Sequence, residues 1–104
     1  MKAYFIPFFL VLFLMTYSSE TYAQETKSKQ DIAAEKYKMF CAVCHGVDGK
    51  LNINGASDLS KSKLTKKGRI RIITKGKGLM TPFKGILSED EIKDIAKYLG
   101  TMKK

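Results

Sequence analysis

The chain has 104 residues, enough for one small domain and too few for two. Nineteen Lys and Arg against ten Asp and Glu leave a net charge of +9, which points to an acidic partner or to a plainly solvated basic face. Nucleic acid is set aside, because no nucleic-acid-binding motif accompanies the charge.

Taken in order, the first residues have the layout of a secretory leader. Lys2 precedes an apolar run from Ala3 to Met15, and Thr21-Tyr22-Ala23 offers a small-x-small cleavage site before Gln24. The run is short of the roughly 20 residues that span a bilayer, and Pro7 interrupts it. The expectation is a signal peptide over 1–23, a mature domain over 24–104, and export. The alternative is a retained N-terminal anchor, a tilted helix extended by Thr16 and Tyr17. No cysteine closes the apolar run or stands at the cleavage site, so a lipoprotein anchor is excluded.

From Asp31 the spacing predicts a helix with Ala33, Tyr37, Phe40 and Cys44 on one face, ending at Gly46. Asp31 serves as its cap or first-turn acid. Residues 46–60, with three glycines among Asn and Asp, read as loop. Thr65–Thr74 fits a second helix with Leu64, Ile70 and Ile73 partly inward. Its β-branched "IRIIT" fits a strand equally well. "KGKGLMTPFKG" is loop again. The last element is the clearest: Ser88 and Glu91 form a capping box, Ile92, Ile95 and Leu99 make a buried stripe, and Gly100 ends the helix. The mature chain reads as all-α.

Both cysteines and the single histidine fall within "CAVCH", Cys41 to His45. An oxidising compartment suggests a disulfide, but a bridge across two residues closes a very short loop and removes little chain entropy. Three chemistries remain. A dithiol redox site needs a βαβ setting with a helix starting at the first cysteine, whereas here a helix ends. Zinc wants three or four ligands, and adjacent Cys44 and His45 fit one tetrahedral ion poorly. Covalent haem attachment uses all three side chains. Two cysteines on one turn form thioethers to the haem vinyl groups, and the neighbouring histidine is directed at the iron. A haem also supplies apolar core that so small a domain lacks.

With this motif, the later "GKGLMTPFKG" loop, and an alanine and an aromatic (Ala33, Tyr37) set to face Tyr98 and Leu99, the mature chain resembles the small single-haem class I cytochrome c family over essentially its whole length. The resemblance implies the cytochrome c fold, a small helical domain wrapped around one covalent haem c. It implies thioethers from Cys41 and Cys44, and His45 and Met80 as the two axial iron ligands. The other methionines suit that role poorly: Met1 and Met15 lie in the leader, Met39 adjoins Cys41, and Met102 follows the last helix. Two departures stand out. Thr81 separates Met80 from Pro82, where the family often has Met-Pro. Ala56 stands where a Gly-Pro carbonyl often orients the histidine, so another carbonyl must accept the His45 ring N–H.

With both axial positions filled, the resemblance implies a periplasmic one-electron carrier and not an enzyme. It would shuttle between a respiratory donor complex or dehydrogenase and an oxidase or reductase. The basic run Lys61, Lys63, Lys66, Lys67, Arg69, Arg71, Lys75 and Lys77 would steer it to acidic redox partners. Membrane contact is expected only if the leader is retained. Two alternatives belong beside this reading. One is an electron-entry subunit of a larger complex, which an exposed apolar patch would favour. The other is an open-site haem enzyme or ligand binder, disfavoured because no second histidine is available as acid or base.

Overall fold

The computed structural model describes residues 26–102. The expected leader, residues 1–23, lies outside them. Four helices follow in order: α1 (Lys29–Phe40), α2 (Ala42–His45), α3 (Lys66–Lys75) and α4 (Glu89–Leu99). Short 3-10 turns occupy Ile53–Gly55, Leu59–Lys61 and Gly100–Met102. Among the described residues there are no strands, only two isolated bridges in the loop after α3, Lys77 with Met80 and Lys84 with Leu87. The all-α, cytochrome c-like architecture expected from the sequence is what the chain adopts.

Side-chain caps set where the longer helices begin. Ser28 caps α1: its hydroxyl accepts the Asp31 N–H at 3.2 Å while the Asp31 carboxylate accepts the Ser28 N–H, a reciprocal box in which Asp31 is the third helical residue and not the cap. Thr65 caps α3 by accepting the Gly68 N–H at 3.1 Å. Ser88 and Glu91 form the predicted box on α4. Gly100 departs from expectation. It keeps right-handed helical angles (φ −61°, ψ −24°) and leads into a 3-10 turn, so α4 tightens at its end instead of stopping on a left-handed glycine.

The core joins α1 to α4 and α3 to α4. It is built from Ala33, Tyr37, Cys41, Ile73, Phe83, Leu87, Ile92, Ile95, Ala96 and Leu99. The small side chains of Ala33 and Ala96, each almost wholly buried, suit a close approach of the two helices. Tyr37 stands one turn beyond Ala33 with its ring centroid 5.5 Å from that of Tyr98. Lys36 bridges from α1 to Glu91 on α4 at 2.7 Å. The segment left ambiguous between helix and strand is helical because α3 packs along α4 and Ile73 is buried there. Leu64, expected partly inward, is 41% exposed. Arg69 also departs from a solvated basic face. Its Nε donates to the Ala96 carbonyl at 2.8 Å and its Nη1 to the Leu64 carbonyl at 2.9 Å, clamping α3 to the last turns of α4.

Candidate haem site

α1 and α2 are nearly one helix, interrupted at Cys41 (φ −111°, ψ −38°). The Cys44 and His45 N–H groups both return to the Cys41 carbonyl, at 3.2 and 3.0 Å. Cys41, Cys44 and His45 therefore leave a single turn in one rigid block. The helix ends at Gly46, whose φ of +77° and near approach to Leu51 leave no room for a side chain: a Cβ would stand 2.7 Å from the Leu51 Cβ. From there the chain reverses. Leu51 N–H donates to the His45 carbonyl at 2.9 Å, and Leu59 N–H donates to the Gly49 carbonyl at 2.8 Å.

This reversal brings the Ser57 carbonyl to 3.0 Å from His45 Nδ1. A carbonyl only accepts, so Nδ1 is the donor of this bond, and in the neutral ring Nε2 is the nitrogen that offers a lone pair to a ligand. The residue in question was open from sequence; it is Ser57, one beyond the Ala56 that occupies the expected place. Tyr37 adds a contact the sequence did not reveal, its hydroxyl donating to the Gly46 carbonyl at 2.6 Å.

Met80 lies in the loop that follows α3. Gly76 ends α3 with φ +70°, and a Cβ there would meet the Met80 carbonyl at 2.4 Å and the Pro82 nitrogen at 3.0 Å. The loop is then tied back to α3: Phe83 N–H donates to the Ile73 carbonyl at 2.9 Å and Lys84 N–H to the Thr74 carbonyl at 3.2 Å. Phe83 also meets Phe40 edge-on, centroids 6.0 Å apart, joining the loop to α1 just before the cysteines. Met80 is half-buried against the core cluster that contains both Cys41 and Phe83. Thr81, the departure from Met-Pro, leaves this arrangement standing.

The donor set fits haem c and fits its rivals poorly. Cys41 and Cys44 are not joined in a disulfide, and burial pushes the Cys41 thiol up to about 11, opposite to the lowered value a redox-active dithiol needs. Among the described residues no three His, Cys, Asp or Glu side chains converge as a metal-ion site, so the motif is not arranged for zinc. Two open clefts, of about 400 and 510 Å³, flank α3 and share Arg71 and Lys75 in their walls, but neither contains the cysteines, His45 or Met80. Chemistry and not cavity size identifies the site. The helical frame, the single-turn Cys-x-x-Cys-His block and the ring-oriented histidine define a c-type cytochrome domain.

Comparison with known proteins agrees. Residues 28–99 match the family described as "Cytochrome C oxidase, cbb3-type, subunit III", and the chain belongs to this family of small class I cytochrome c domains. It is 43% identical over 65 residues to a cytochrome c6 of Leptolyngbya boryana, covering 57% of this chain and 75% of the relative. A "cytochrome c6-like" protein of Nostoc sp. is 33% identical over 102 residues, covering 91% of this chain and 89% of the relative. A cytochrome c6 of Microcystis aeruginosa is 38% identical over 65 residues, covering 57% and 79%. The protein is thus a small c-type cytochrome with one covalent haem c, an iron-containing electron-transfer protein.

Proposed function

We propose that this chain is an exported, periplasmic one-electron carrier. It takes an electron from a respiratory donor complex or dehydrogenase and gives it to an oxidase or reductase. Cys41 and Cys44 would hold the haem by thioethers, and His45 and Met80 would ligate its iron. The observation that carries this reading is the His45 ring, locked by the Ser57 carbonyl with Nε2 free, in the same turn as both thiols.

Bound haem c supplies a one-electron iron couple. The chain's own residues make that couple fast and confined. His45 is held on its ring by Ser57 and on its carbonyl by the Leu51 N–H, so little moves when charge changes. Met80, a neutral thioether on a tethered loop, favours the reduced state and raises the potential. With Met80 as a ligand the iron would have no open position, and the sequence offers no second imidazole to serve as acid or base. These points support a carrier over a catalyst.

Partner choice follows from charge. On and beside α3, Lys63, Lys67, Arg71 and Lys75 recur every fourth residue and are all exposed. Lys66 and Lys67 also sit in the first turn of a helix with no acidic residue there, where cations oppose the helix dipole. Like charges four apart cost a helix about 0.2–0.5 kcal/mol per pair. A stripe that weakens its own helix is best explained by an acidic redox partner.

A second reading has its own support. The matched family is described as an oxidase subunit, and large apolar side chains beside the haem-binding residues are exposed: Met39 71%, Val43 69% and Leu79 82%. An electron-entry subunit docked permanently on a membrane enzyme would cover them. Extraction separates the two, since a carrier leaves a periplasmic fraction without detergent and a subunit does not.

Absorption spectra of the purified protein in both oxidation states test the ligand set. The carrier shows low-spin spectra with the weak red band of ferric methionine coordination, which Met80→Ala abolishes while lowering the potential. High-spin spectra, or rapid binding of carbon monoxide by the reduced wild type, would reject it.

A further inference from the structure

Tyr37 is wholly buried between α1 and α4, and its packing alone would be served by phenylalanine. Its hydroxyl nonetheless makes a 2.6 Å hydrogen bond to the Gly46 carbonyl, nine residues on and directly after His45. We propose that Tyr37 is a positioning residue for the haem: by fixing the 46–47 peptide it sets the His45 ring against the Ser57 carbonyl, and so tunes the iron couple.

The geometry leaves this carbonyl a particular job. Gly46 has positive φ and ends α2, and the one backbone donor given for its oxygen is the Gly49 N–H of the following turn, at a longer 3.2 Å. Gly46 also begins the reversal that brings in Leu51, Leu59 and then Ser57. A buried hydroxyl from a core helix thus pins the first step of the path whose end orients the ring. Without the Tyr37 bond only the longer Gly49 contact holds the oxygen, the turn relaxes, and the Nδ1–H···O contact lengthens. A weaker contact makes the imidazole a poorer donor, which destabilises the oxidised state. The potential of Tyr37→Phe must therefore rise.

The inference rests on His45 being an axial ligand, and the test separates the two. In the reduced holoprotein, ring protons of a ligating His45 show large upfield shifts in the proton spectrum of the wild type. Ordinary histidine shifts would sink the ligand assignment before any variant is made. Given those shifts, Tyr37→Phe is expected to raise the reduction potential and to speed exchange of the His45 Nδ1–H several-fold. Tyr37→4-aminophenylalanine, which restores a weaker donor, should return both part of the way. Should Tyr37→Phe prove too unstable to purify, the partial change in the amino variant against wild type decides. Tyr98→Phe, whose hydroxyl makes no hydrogen bond among the described residues, should change neither. A Tyr37→Phe protein that melts earlier but keeps wild-type potential and Nδ1–H exchange would show that Tyr37 only packs.

Discussion

Glu91 does two things at once: it accepts the Ser88 N–H in the α4 cap and receives Lys36 from α1. The Lys36 ammonium and the Ser88 N–H hold its carboxyl below the usual carboxylate range. A depressed carboxyl contributes stability above its ordinary pKa and loses it as pH falls through the lowered one. Asp31, held down by the Ser28 hydroxyl, works the same way on α1. Thermal midpoints should therefore fall on acidification through and below the ordinary carboxylate range. Glu91→Gln should be less stable at neutral pH and show a flatter slope in that acid window; an unchanged slope would mean the bridge and box contribute nothing. Such residue roles were legible in part. The Ser88–Glu91 spacing is local and reads directly from the sequence. The Ser57 acceptor and the Tyr37 bond depend on where the 46–59 reversal ends, and no local pattern encodes that.

Helices and loops were legible in proportion to how local their signals are. α1 and α4 carry caps and a 3.6-residue stripe. α3 carries isoleucines that suit either helix or strand, and its state is decided by the Thr65 cap and by Arg69 reaching the Ala96 carbonyl. The Met80 loop was readable as loop but not in its fixed shape, which depends on close approach at Gly76. That dependence gives a paired prediction. Gly76→Ala adds a Cβ 2.4 Å from the Met80 carbonyl at φ +70°, while Gly78→Ala, at φ +57°, adds one with nothing within 4 Å. Gly78→Ala should cost about 1–2 kcal/mol, the penalty for left-handed backbone. Gly76→Ala should cost clearly more by denaturant titration and should also weaken the red ferric band. Equal costs with an intact band would show that the loop is not built on Gly76.

At the scale of the molecule, the ten buried side chains among the described residues make a thin core for a domain of this size. The covalent haem acts as staple and filling together, which explains why the Cys-x-x-Cys-His block interlocks with the core through Cys41. Export from the leader and the acidic partner are readings of the whole chain. If the α3 stripe steers encounter, electron-transfer rates with an acidic partner fall by roughly an order of magnitude from low to physiological salt. Lys67→Glu with Arg71→Glu should remove most of that dependence, whereas salt-insensitive wild-type rates would reject steering.

The account stands or falls on how the pigment is held. Holoprotein matured in a cell competent for haem attachment should be denatured, digested and weighed peptide by peptide. The account predicts that the fragment containing Cys41 to His45 carries one haem, with neither sulfur open to alkylation. A haem that washes away on denaturation, or two cysteines that alkylate freely, would contradict it.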